Sequence, residues 1–174
     1  SLRACYHAVI KVWYTLRMNK HELGELVDYV AKQGTLAILE NTDEQNVSID
    51  YVAIFAKDTD EFENMLRCAE SLGSEVDKKM LKTGHTFLLR EPLETTAGNV
   101  SYLKIRKPDP TRTQRGAPDF TIPNYQEFKK KYLKSSGNFT LMVREDYEMI
   151  ELKGIDVLVY IKNKPFEDSI GKSA

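Results

Sequence analysis

The chain has 174 residues, 41% hydrophobic and 29% charged, the balance of one globular domain with a real core rather than of a disordered segment. Its formal net charge of -1 supplies no global field toward nucleic acid or an anionic membrane, and no uncharged run approaches the ~20 apolar residues of a membrane span. The two cysteines, Cys5 and Cys68, match neither a disulfide framework nor a zinc cluster, so the expected compartment is the reducing cytoplasm.

Leu2, Cys5, Val9, Val12, Trp13 and Leu16 recur at helical spacing and predict a helix over 2–16. Lys11 and Arg17 interrupt it too often for a signal peptide, and without a secretory signal the sequons at Asn46, Asn99 and Asn138 carry no weight. A second helix is expected to start at Asn19, with Glu22 completing a capping box, and to stop at Gly34. Met18 lies between the two and could serve as a start, which would make 1–17 an upstream extension.

Residues 41–46 are turn-like, and 49–55 then read as a strand. Asp58 caps a helix whose inner face is Phe62, Met65, Leu66, Cys68, Ala69 and Leu72. Strands are expected over 75–82, 85–90 and 100–106, with a turn at Thr83-Gly84 and a loop over 91–99. The segment 107–116 (KPDPTRTQRG) is a crossover loop. After it come a strand over 118–122, a helix over 124–136, strands over 139–144, 148–153 and 157–162, and a polar tail.

Asp58-Thr59-Asp60-Glu61-Phe62 and Asn124-Tyr125-Gln126-Glu127-Phe128 share the form [Asp/Asn]-x-x-Glu-Phe. Each opens an amphipathic helix that ends at a Gly, Gly73 or Gly137. A strand–helix–strands unit used twice predicts an α+β fold of two tandem βαβββ modules forming a cupped mixed sheet, preceded by two N-terminal helices. The chain then divides into a helical extension (1–47), a two-module domain (48–106 and 117–163) and a tail (164–174).

This layout, with Gly98-Asn99-Val100-Ser101-Tyr102 and Gly154-Ile155-Asp156-Val157-Leu158 leading into the last strand of each module, resembles the vicinal-oxygen-chelate superfamily of glyoxalases and extradiol dioxygenases. The resemblance covers about residues 48–163. It is similar in particular to the YecM-like branch, which also places helices before the first module. There a segment like Ile49-Asp50-Tyr51-Val52-Ala53 opens module one and one like Gly84-His85-Thr86-Phe87-Leu88-Leu89 lies mid-module. The resemblance implies a divalent metal held by His, Gln or Glu from the first and last strands of both modules.

Strand alternation carries those positions onto this chain. Tyr51, Ala53, Tyr102, Lys104, Asp119, Thr121, Leu158 and Tyr160 are expected on the cleft face; Val52, Ile54, Leu103, Ile105, Phe120 and Ile122 face the helices. Only Asp119 among the ligand positions is an ordinary metal donor, so no metal and no cofactor are expected, and the family's metal-dependent activities come into doubt. No catalytic residue is assigned.

The expected function is binding of a small anionic or carbonyl-bearing ligand by Tyr51, Tyr102, Lys104, Asp119 and Tyr160, with Arg112 and Arg115 orienting a carboxylate or phosphate from the cleft mouth. Lys104 is expected to pair with Asp119. Arg106 and Lys107 complete the basic cluster, whose bland reading is a solvated loop paired with Asp109, Glu91 and Glu94. Two other readings stand beside this one. One is a metal-dependent lyase, isomerase or dioxygenase using Asp119, with His85 as a shifted ligand. The other is a protein-interaction module with a filled cleft. His85 and Glu151 are the remaining polar residues of interest, and Lys129-Lys130-Lys131 reads as a solvated helix face. The expected partner is a small molecule rather than nucleic acid or membrane, with homodimerisation left open.

Overall fold

The structure, a computed structural model, describes residues 17–76, 82–134, 137–144 and 147–170. The helix expected over 2–16 and most of the strand expected over 75–82 lie outside the described residues. Helix α1 (Lys20–Asn41) opens on a complete capping box: the Glu22 N–H donates to Asn19 Oδ1 at 3.0 Å, and the Asn19 N–H donates to Glu22 Oε2 at 2.8 Å. It runs past the expected stop. Gly34 is a contact point rather than a terminus, since a Cβ there would lie 2.9 Å from the Phe120 ring and would also meet Pro118. The helix ends at Thr42, whose N–H and hydroxyl both return to the Ile38 carbonyl at 2.8 Å.

Strand β1 (Ser48–Phe55) leads into α2 (Thr59–Leu72). Asp58 caps this helix by accepting the Glu61 N–H at 2.8 Å, a contact of roughly 1 kcal/mol. Strands β2 (Gly73–Glu75), β3 (Gly84–Thr95) and β4 (Gly98–Arg106) complete the first module. The segment expected as a loop over 91–99 is instead the end of β3 and its hairpin turn, with Leu93 paired to Val100 and Thr95 to Gly98. Gly98, at φ 120°, supplies the turn that a Cβ would strain.

The second module repeats the order: β5 (Gly116–Thr121), α3 (Tyr125–Tyr132), β6 (Phe139–Val143), β7 (Glu148–Lys153) and β8 (Leu158–Lys162). Its helix is shorter than expected, and Asn124 makes no side-chain cap, so the two sequence repeats are unequal as helix starts. A last short helix, α4 (Glu167–Ile170), lies in the stretch read as a polar tail.

The eight strands form one sheet in the order β2-β3-β4-β1-β5-β8-β7-β6. Within each module the first strand runs parallel to the last, and the others follow antiparallel, so the two halves mirror each other about the β1–β5 pair. That pair is antiparallel and joins the modules. One face carries the main core: Val52, Ile54, Leu103, Ile105, Phe120 and Ile161 pack with Met65, Phe128 and the α1 stripe Leu23, Val27, Val30 and Ile38. Thus α1 is built into the core of both modules. The opposite face carries a second cluster of Tyr51, Ala53, Phe55, Tyr102, Ala117 and Leu158. Among the described residues no helix is long and apolar enough to cross a membrane.

Candidate functional site: the cupped face and its mouth

Alternation along the four central strands puts a line of polar side chains on the face away from the helices. Tyr102 pairs with Tyr51, Tyr51 with Asp119, and Asp119 with Tyr160, one position per strand across β4, β1, β5 and β8. The row crosses from one module to the other. It occupies the positions where the resemblance places metal ligands.

Asp119 is buried and forms an ion pair with Lys162, two residues beyond Tyr160 on the adjacent strand. The partner expected from sequence was Lys104. Lys104 lies on β4, two strands from Asp119, in register with Ala53 rather than Tyr51, so β8 offers the nearer ammonium. Lys104 is itself buried, and its charge acts on Asp119 only secondarily. Burial pushes the Asp119 carboxyl above the usual carboxylate range, against the charge and hydrogen bond of Lys162. Burial also works against the Lys162 ammonium, but the Asp119 charge and hydrogen bond outweigh it and hold this lysine above its ordinary value.

The phenols of Tyr160 and Tyr102 are kept protonated. Tyr160 is pushed up to about 12, first by burial, then by the charge of Glu151 and its hydrogen bond to that carboxylate at 3.1 Å. Tyr102 is raised by burial and then by the charges of Glu167 and Asp50. At neutral pH both phenols are therefore protonated rather than basic, and the single Tyr160 O–H is already donated to Glu151, so Tyr160 presents its oxygen as an acceptor.

The donor set does not fit a divalent metal. The row supplies one carboxylate, already closed by a lysine, and three or more protein donors are needed. Among the described residues no group of three or more His, Cys, Asp or Glu side chains converges. His85 pairs in register with Ile105, a helix-side residue, and its Nδ1 lies 2.7 Å from Glu75 Oε1.

At the end of the sheet, between the crossover loop and α1, lies a recess of about 450 Å³ lined by Leu26, Tyr29, Phe55, Arg106, Arg112 and Arg115, among others; the row Tyr102–Tyr51–Asp119–Tyr160 is not part of its lining. Arg106 lies over the Phe55 ring, 4.7 Å from its centroid, which ties the recess to the apolar cluster of the cupped face. Arg112 is exposed at its wall, and its charge reaches both Asp109 and Tyr160.

Arg115, expected beside Arg112 as a ligand clamp, lines the same recess, with its guanidinium engaged by Glu61. Its two terminal nitrogens donate to Glu61 Oε2 at 2.9 Å and Oε1 at 2.5 Å, and one also donates to the Phe55 carbonyl at 2.7 Å. It locks the crossover loop onto the start of α2 through the Glu of the first repeated motif. Of the expected lysine face on α3, Lys129 pairs with Glu148 and Lys131 with Asp43, so these cations bind α3 to neighbouring segments.

Sequence reasoning missed two residues. Lys162 shares the parity of Tyr160, and that alternation was the signal for it. Phe166 stacks on Tyr51 with centroids 4.5 Å apart and planes at 27°, and meets Tyr102 at 5.0 Å. Its place in a polar stretch gave no signal that it packs on the cupped face.

No family model and no curated protein matches the sequence. A solved structure described as "Structural Genomics, Protein EC4020" superposes with a TM-score of 0.67 at 11% identity, over 88% of this chain and 92% of that one. At that identity the likeness shows the fold alone.

Proposed function

We propose that this chain is a small-molecule-binding protein of the vicinal-oxygen-chelate type, with a degenerate metal position, that takes an organic anion or a carbonyl compound on its cupped face. The paired βαβββ topology supports the superfamily and is consistent with the YecM-like branch. The observation that carries the reading is the row Tyr102–Tyr51–Asp119–Tyr160, where the ligand positions of a metal enzyme hold phenols and a lysine-paired carboxylate. The Tyr102 hydroxyl suits a carbonyl or carboxylate oxygen, and Arg112 with Arg106 and Lys107 at the mouth suits the charge. The slight negative net charge favours a small molecule over nucleic acid, and the cysteine usage favours the cytoplasm.

A thermal-shift screen of chelator-treated protein against small carboxylates, phosphates and ketones tests this. The reading expects a saturable rise with at least one class and no need of metal. A rise that appears only after a divalent metal is restored would favour the metal-dependent enzyme. The filled-cleft reading has its own support in Phe166, and an absence of any shift would favour it.

A further inference from the structure

Phe166 is held on the cupped face by a short segment with little structure of its own. None of the residues of α4 is buried. The backbone N–H of Phe166 donates to Asp50 Oδ2 at 2.7 Å, and Ile170 packs at the edge of the same cluster. The ring itself is well accommodated. Tyr51 stacks against it and Tyr102 meets it at an angle of 58°. The Lys162 ammonium lies 5.6 Å from its centroid and 5.3 Å from that of Tyr51. Two aromatic walls and a fixed cation make a pocket for a flat π-system.

We propose that the cupped face holds an aromatic subsite which Phe166 occupies in cis, and that a ligand carrying a flat aromatic ring enters by displacing the C-terminal segment. This rests on the cleft being a small-molecule site, and it narrows the ligand class to aromatic anions or aromatic carbonyl compounds. Among the described residues, displacement takes Phe166 and Ile170 out of apolar contact, uncovers Tyr51 and Tyr102 for the entering ring and frees the Phe166 N–H to water, while the sheet pairing does not involve this segment. A segment that fills the subsite most of the time lowers apparent affinity by the fraction of time the subsite is open.

The test uses the full chain with three probes: benzoate, cyclohexanecarboxylate, which lacks the π-system, and acetate, the bare anion. Phe166→Ala is expected to bind benzoate about tenfold or more tighter than the native chain, with a much smaller gain for the other two. Phe166→Leu keeps the segment apolar without the ring and should fall between. In the native chain, saturating benzoate should accelerate hydrogen exchange at the Phe166 amide, a readout that needs no variant. Equal benzoate affinity in the native and Phe166→Ala chains, with unchanged exchange, would overturn the cis occupancy and leave the cleft reading standing. Equal gains for all three probes would overturn the aromatic class. Binding of no probe by either chain would remove the proposal together with the cleft reading beneath it.

Discussion

Lys162 on β8 reaches diagonally to Asp119 on β5, and the pair is nearly closed to solvent, with side-chain exposures of 14% and 6%. Removing one partner of such a pair leaves the other charge buried and uncompensated. Lys162→Met should therefore cost about 3–5 kcal/mol, and adding Asp119→Asn to the same chain should restore part of it. Urea denaturation of the single and double variants measures this. A Lys162→Met chain within about 1 kcal/mol of the native one would mean that the pair is solvent-screened.

Arg115 and Glu61 give a second stability test. Their bidentate contact joins the crossover loop to α2, so Arg115→Ala should lose about 1.5–3 kcal/mol, the range for hydrogen bonds to charged groups. A double-mutant cycle with Glu61→Ala should assign most of that loss to the pair. Additive single losses would show that Arg115 acts through something else.

The two glycines of α1 should respond with opposite signs. A Cβ at Gly24 meets nothing within 4 Å, so Gly24→Ala should stabilise by about 0.5–1 kcal/mol through helix propensity. At Gly34 the same change drives into Phe120 and Pro118, and Gly34→Ala should destabilise by about 1–3 kcal/mol. Chemical denaturation of the two variants compares them directly, and a stabilising Gly34→Ala would mean that α1 does not sit this close to β5.

Tyr160 sets a pH dependence. Its folded pKa, about 12, lies above its unfolded value near 10. A raised pKa means that stability is intact below about pH 10 and is lost as pH rises toward about 12, because the unfolded chain ionises this phenol first. The denaturation midpoint of the native chain should fall more steeply over that window than that of Tyr160→Phe. Parallel curves would place Tyr160 in water.

The paired modules were legible because alternation and the repeated [Asp/Asn]-x-x-Glu-Phe motif are local signals. Val52, Ile54, Leu103, Ile105 and Phe120 lie on the helix side as the period of two requires. The partners across the sheet were less legible. Asp119 could be put on the cupped face from sequence, but choosing Lys162 over Lys104 needs the order β4-β1-β5-β8, a long-range property. Gly34 carries the local signature of a helix stop, and only its contact with Phe120 reveals another use. The pairing of Arg115 was hidden for the same kind of reason, since its partner Glu61 is 54 residues away in sequence. Phe166 sits in a polar stretch without periodicity, and its packing is visible only in three dimensions.

In the proposed function, the cupped face takes an organic anion whose charge is read at the mouth by Arg112. Calorimetric titration of the native chain and of Arg112→Ala with benzoate tests it most directly. Loss of a charge-assisted hydrogen bond of about 1.5–3 kcal/mol predicts affinity weakened by about tenfold to over a hundredfold, with an unchanged melting temperature because Arg112 is exposed. Benzoate bound equally tightly by both chains would place Arg112 outside the ligand site and remove the proposed reading of charge at the mouth.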